Sequence, residues 1–515
     1  MELASPQLVT AAWVLVGVYA LVILWFVIRG AKKITNIDDY ALGNVLFSPY
    51  AVGLSLAASI TSAATFIINP GFVALYGISG VLSMAIALPF AALISLVLLT
   101  KGFRKHGATV KALTMAQWME TMYKSKNYGI FFGFLSLLLI TFIVLICVGL
   151  TKVLSASLNI PEFYTLVGIV TFVFGYMMYG GANSMVYTNT IQAILMLIVA
   201  FILLGSGYEH FSEGVRGFLG KLEAIDPLLV STTNESSFLF RDYFEIFIAQ
   251  FIVGIAIICQ PHILTKSLLL KSDEDVNKYL IVGISAQLLF FFVVFTGLYI
   301  RITFPDLSPG GTIIPMDGLV SAYVVSEFPV FVGLIVVMGL ISAGLSTLES
   351  LIQSLSTTIT KDIIEPLFGK KLGMKAKGGS NVFINKIVIV VLAVITVFVS
   401  WDQIVNPNLS VGIFAQNGVY AYFSAAFVPI LMGMFFKGVP LIAPVMASVT
   451  AVVVHFTIFY GQLPIPFTQA DGQNPGVAAA VAITLSVIVG FATYYLATTH
   501  ANRNPDENMG GTHAN

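Results

Sequence analysis

Apolar residues in this chain run in long blocks broken by short charged or turn-rich stretches. A block of about 20 apolar residues is what crosses a hydrocarbon layer of about 30 Å as a helix. Thirteen such blocks occur, near 8–29, 48–77, 78–100, 129–155, 162–182, 186–207, 243–266, 279–302, 328–360, 383–401, 411–436, 438–461 and 475–497. The pattern predicts an all-α polytopic membrane protein with 13 transmembrane helices, numbered here as spans 1 to 13. Span 1 lacks a basic leader and a small-residue cleavage site and is followed by RGAKK, so it reads as a retained helix, not a signal peptide.

Composition agrees. Of 515 residues, 57% are hydrophobic and 10% charged, against about 45–50% and about 25% in soluble domains. A soluble enzyme of ordinary type, a disordered chain and a disulfide scaffold are excluded. Cys147 and Cys259 lie inside apolar runs and read as small buried hydrophobes. Lys+Arg and Asp+Glu number 25 each, which leaves no charge argument for nucleic-acid binding. Where the cations fall sets the orientation. One set of alternate segments holds twenty Lys and Arg; the other holds only Lys152, Arg216, Lys221, Arg241 and Arg301. The positive-inside rule then puts the N-terminus outside and the C-terminus inside.

Two spans are interrupted. Span 2 reads SLAASITSAATFIINPGFVALYG, and span 7 reads AQFIVGIAIICQPHILTKS. Proline removes a backbone donor and crowds the preceding turn, so a kink or break is predicted at Asn69-Pro70-Gly71 and at Gln260-Pro261-His262. Carbonyls freed inside a bilayer need a partner such as a neighbouring helix, water or an ion. Either break alone reads equally as a simple kink. Matching breaks five spans apart point to two inverted repeats, spans 2–6 and 7–11, with a binding site at the midplane. Spans 1, 12 and 13 are then peripheral. The predicted boundaries are 1–47 for the first helix and cytoplasmic linker, 48–207 for the first repeat and 208–242 for an extracellular loop. The second repeat covers 243–437, two peripheral helices 438–497, and a disordered cytoplasmic tail 498–515.

Span 9, LISAGLSTLESLIQSLSTTITKDII, is unusually rich in hydroxyls, and Ser346, Ser350 and Ser354 share one face. Small polar residues also serve plain helix packing in membranes. The functional reading is an ion site, because hydroxyls and freed carbonyls are the neutral oxygens a hard cation takes.

Several segments together resemble the sodium:solute symporter family over roughly residues 30–437. They are AVGLSLAASITSA at 51–63, YGGANSMVYTNTIQA at 179–193, QPHILTK at 260–266, SAGLSTLESLIQSLSTTITKD at 342–362 and GMFFKG at 433–438. The resemblance implies a five-plus-five inverted-repeat (LeuT-type) core. It also implies a Na+ site formed by the carbonyls of Ala58, Thr61 and Ala343 and the hydroxyls of Ser346 and Thr347. Family members often carry Asp where Asn189 stands, which puts that carboxylate's extra role in doubt. Sugar members carry Asn where Ile60 lies, and proline members an Asp in the first core helix, absent between 51 and 77; both substrates are thereby disfavoured. Gln416 and Asn417 match the region from which sugar members reach their substrate.

Glu349 is the one carboxylate deep in a predicted span, where an ionised group is costly unless paired or hydrated. Lying three residues from Ser346, it either replaces the carboxylate missing at Asn189 or sits at the cytoplasmic mouth, solvated or paired with a Lys. His262 either contacts solute or bonds a nearby carbonyl. The expected function is sodium-coupled symport into the cell of a small organic solute: pantothenate, a monocarboxylate or an amino acid. Thr65, Asn69, Gln260, His262 and Gln416 would hold the solute, with Glu349 and Asn189 in coupling or gating. The partners are the solute, sodium and the lipid bilayer, the location a bacterial-type inner or plasma membrane. Two alternatives stand beside it: a proton-coupled carrier using Glu349 and His262, and a transport-inactive solute sensor. No metal cluster, nucleophile motif or phosphate-binding loop suggests an enzyme.

Overall fold

The computed structural model describes residues 6–32, 34–43, 47–110, 112–270, 272–308, 314–374, 380–406, 410–469 and 473–503. They form helices and connections, with no strand among them. In chain order the principal helices are α1 (Pro6–Ala31), α2 (Ile37–Leu42), α3 (Pro49–Ile60), α4 (Ala64–Tyr76), α5 (Ile78–His106), α6 (Met115–Tyr123) and α7 (Lys126–Leu158). α8 (Glu162–Gly205), α9 (Gly214–Ile225), α10 (Phe244–Ile257), α11 (Pro261–Leu269), α12 (Asp275–Thr303) and α13 (Leu319–Glu327) follow. The last are α14 (Val330–Phe368), α15 (Ser380–Val405), α16 (Val411–Phe435), α17 (Ile442–Gly461) and α18 (Pro475–Arg503).

Among the described residues ten helices are long and apolar enough to cross a membrane, or up to twelve if each of two bent pairs, α3 with α4 and α10 with α11, is one span. The chain is a multi-pass membrane protein. α14 and α16 are the most enclosed spans and α1 and α15 the most exposed, which sorts core from lipid-facing helices. α3 packs on α12 and α8, and α8 and α7 pack on α14, so the bundle closes around α3 and α14.

Some boundaries depart from the sequence pattern. The first bend, 54°, falls between Ile60 and Ala64, not at Pro70. Thr61 is extended, and Ser62 Oγ accepts from Ala64 N (3.1 Å), giving the second half-helix a local start. Pro70 instead sits inside α4, just after a wide π-type turn, Ala64–Ile68, that absorbs its missing donor. The second bend, 57°, does fall before Pro261. The 208–242 stretch contains α9, and α18 runs past the predicted start of the tail at 498 as far as Arg503; 504–515 lie outside the described residues.

α8 breaks at Gly181, where φ is 55° and ψ −166°. That region is essentially reserved for glycine. A Cβ there would also lie 2.8 Å from Tyr40 O on α2. Gly181→Ala is therefore expected to cost on the order of 2 kcal/mol, lowering the apparent melting temperature of the detergent-solubilised protein by several degrees. An unchanged melting curve would show that the break tolerates a side chain.

Candidate functional site

The first bend builds a ring of oxygens. Thr61 N closes the last turn of α3 on Ala57 O (3.0 Å) and then the chain leaves the helix, freeing the carbonyls that follow. α14 presents two hydroxyls to them. Ser346 Oγ lies 2.8 Å from Ala58 O and 3.2 Å from Ala343 O. Thr347 Oγ1 lies 3.2 Å from Thr61 O and 3.3 Å from both Ala58 O and Ser59 O. All five oxygens expected from the sequence converge, and all five residues are fully buried. The donor set is oxygen only and uncharged, which suits a hard, weakly held cation. A hydroxyl can rotate to turn a lone pair inward, so the hydrogen bonds seen here do not preclude ligation.

One helical turn along α14 lies a second polar cluster. Glu349 is 1% exposed, so it is neither solvated nor at a mouth. Its carboxylate accepts from Tyr176 Oη (2.6 Å), Thr188 Oγ1 (2.7 Å) and Gln192 Nε2 (3.2 Å). Asn189 lies beside it. In the amide orientation that satisfies both ends, Asn189 Nδ2 donates to Glu349 Oε2 (3.1 Å) and Gln192 Oε1 (3.0 Å). Its Oδ1 then accepts from Lys266 Nζ (3.1 Å), Ser59 Oγ (3.2 Å) and Ser350 Oγ (3.3 Å). Lys266, 3% exposed, also donates to Ser55 Oγ (2.6 Å).

The residues expected from the sequence to hold a solute meet elsewhere. Thr65, Asn69, Gln260, His262 and Gln416 all line one cavity of about 120 Å³ between the two bends. Its remaining wall is largely apolar, including Ile68, Phe142, Phe291 and Tyr420, and no charged side chain lines it among the described residues. Gln260 Nε2 donates to Ile257 O (3.0 Å), while its Oε1 and both ring nitrogens of His262 have no partner among the described residues. Buried polar atoms are rarely left so, and a bound solute would satisfy them. Asn417 does not join them: it bonds Tyr460 and His455 on α17 instead.

His262 also borders a smaller cavity, about 20 Å³, shared with Lys266, Ser350 and Gln353. Beyond it, Gln353 Nε2 donates to the carbonyls of Tyr40 (3.2 Å) and Ala41, tying α14 to α2. Arg104, at the end of α5, pairs with Asp273 (3.0 Å) and donates to Ser267 O and Leu270 O, holding the end of α11. A cation there also suits the negative end of a helix. At the other end of the bundle, Met316 O would lie 2.6 Å from a Cβ at residue 71, so Gly71 lets that loop close on α4. Beside it, burial raises the pKa of the Asp317 carboxyl from its ordinary value.

Sequence reasoning missed Lys266, Tyr176, Thr188 and Gln192. Lys266 falls where an apolar block ends, and by charge counting it belongs with the inner loops. Thr188 and Gln192 flank Asn189, Tyr176 lies on the other side of the Gly181 break, and only the fold of α8 against α14 aims them at Glu349.

A family model for the sodium:solute symporter family matches residues 40–440. The sodium/pantothenate symporter of Escherichia coli (strain K12) is 24% identical over 478 residues, covering 90% of this chain and 92% of that protein. The sodium/proline symporter of Staphylococcus aureus (strain Newman) is 24% identical over 452 residues, covering 85% of this chain and 84% of that one. Among solved structures, a substrate-bound, outward-open Na+-coupled sialic acid symporter aligns with a TM-score of 0.75 at 17% identity, over 94% of this chain and 97% of that chain.

Proposed function

The chain belongs to the sodium:solute symporter family, and we propose that it imports a small organic solute on the sodium gradient. The family and these relatives are transporters, so the chain is a transporter and not an enzyme. The observation that carries the sodium reading is the convergence of the Ala58, Thr61 and Ala343 carbonyls with the Ser346 and Thr347 hydroxyls. Sodium at those oxygens ties α3 to α14 and stabilises one arrangement of the two repeats. The coupling is its differential affinity for the two states.

The solute cavity adjoins the ion site through Thr65, three residues beyond the bend at Ser62. With no charged group in the wall, a carboxylate would be met by neutral donors and by the partial positive charge at the half-helix starts. A cavity of about 120 Å³ suits a monocarboxylate, an amino acid or one end of pantothenate. The topology fits the same reading. α8 has 44 residues, about 66 Å at 1.5 Å per residue, more than twice a hydrocarbon thickness of about 30 Å. Split at Gly181, it makes thirteen crossings, with the N-terminus outside, the C-terminus inside, and repeats at 48–207 and 243–437.

A thermal-shift screen across pantothenate, monocarboxylates and amino acids, with sodium or with choline, tests the proposal. The transported solute is expected to stabilise the protein only in sodium, by about 2.7 kcal/mol at a hundred times its Kd. Uptake driven by a pH gradient without sodium would overturn it in favour of a proton-coupled carrier. Within the cavity, Gln260→Leu is expected to raise the solute KM about tenfold to a hundredfold, the worth of one or two lost hydrogen bonds. Sodium affinity measured without solute should not move.

A further inference from the structure

We propose that the Lys266 ammonium is a built-in cation filling a second cation position one helical turn from the sodium site, so that the transporter binds a single sodium. The inference rests on the sodium reading above and adds what limits its stoichiometry.

The same two helices build both positions. In the first, α3 and α14 contribute the Ala58 and Thr61 carbonyls and the Ser346 and Thr347 hydroxyls. One turn away they contribute Ser55 and Ser59 from α3 and Glu349 and Ser350 from α14, with Asn189 of α8 between them. Ser59 Oγ and Ser350 Oγ are 2.8 Å apart, and both reach the amide of Asn189. This is again an oxygen-lined position, now with a carboxylate beside it. Its cation comes from the protein. Lys266 Nζ enters from α11 and bonds Ser55 Oγ at 2.6 Å and Asn189 Oδ1 at 3.1 Å.

The charge balance calls for such a group. A buried carboxylate needs a counter-charge, and Glu349's own partners, Tyr176, Thr188, Gln192 and Asn189, are all neutral. Lys266 is the cation one amide away. An ammonium donates three hydrogen bonds and accepts none, so it satisfies acceptor oxygens much as a bound alkali ion does. It differs in being tethered: it cannot leave with the solute, and the position cannot cycle sodium.

The test compares wild type, Lys266→Gln and the double variant Lys266→Gln/Glu349→Gln, purified in detergent. Bound ²²Na⁺ is counted by equilibrium dialysis, and melting is followed in sodium and in choline. Wild type should bind one sodium. Lys266→Gln should bind two, melt well below wild type in choline and recover in sodium as the ion replaces the ammonium. The double variant should return to one, because the counter-charge has gone. A count of one in Lys266→Gln, two in wild type, or two in the double variant would overturn the inference. So would a Lys266→Gln protein that does not fold even in high sodium, since the ion would then have failed to take the vacant position. A wild-type count of zero would instead defeat the sodium reading itself.

Discussion

Replacing both Ser346 and Thr347 with alanine is expected to weaken sodium binding by two to four orders of magnitude. On the sodium reading proposed above, each hydroxyl is a ligand to a charged ion, a bond worth about 1.5–3 kcal/mol. Two of them amount to about 3–6 kcal/mol, with each 1.4 kcal/mol a factor of ten. The measurement is ²²Na⁺ binding together with the sodium dependence of uptake in proteoliposomes. The loss should be specific. Thr347→Ser keeps the oxygen and should stay within a few-fold of wild type. The carbonyls of Ala58 and Thr61 need no side chain, since they are freed by the bend itself. A double alanine variant with unchanged sodium activation would move the ion away from the α3–α14 contact and remove the basis of the coupling argument.

Part of this site was legible in the residues because its chemistry is local, while the set of five sodium oxygens was implied by the family resemblance. A hydroxyl-rich stretch inside an apolar block stands out at 342–362, and a Ser/Thr-rich run before Asn69-Pro70 marks a helix that cannot stay regular. The position of the first bend was less legible. Proline signals a missing donor, but a π-type turn can absorb it, and the helix broke instead where Ser62 could cap a new start. The two-cavity arrangement around His262 was not legible either, because it depends on how α11 meets α7 and α14. Nor was Asn417: its neighbour Gln416 faces the cavity, while a rotation of about 100° per residue along the helix turns Asn417 toward α17.

The Glu349 environment was the hardest to foresee, and its energetics are the most severe. Glu349→Leu is expected to destabilise the protein by about 3–5 kcal/mol, the usual result of leaving a buried charge without its counter-charge. Tyr176, Thr188 and Gln192 would lose their shared acceptor, and Lys266 would keep its charge with only Ser55 and the Asn189 amide around it. The cost should therefore depend on what stands at residue 266. Glu349→Leu/Lys266→Met removes both charges and should recover at least 1 kcal/mol beyond the sum of the single changes, the behaviour of residues in one network. Melting of the four proteins in choline, where sodium cannot substitute for the missing cation, gives the coupling directly. Additive losses would mean that Asn189 transmits no interaction between the two, and that Glu349 and Lys266 are buried for unrelated reasons. A strong coupling has a functional consequence. α14 carries Ser346, Thr347 and Glu349, and Lys266, on the second half of the bent span α10–α11, bonds Ser55 of α3 and Asn189 of α8. Any movement that separates α11 from α3 and α8 must then break the Ser55 and Asn189 bonds to Lys266.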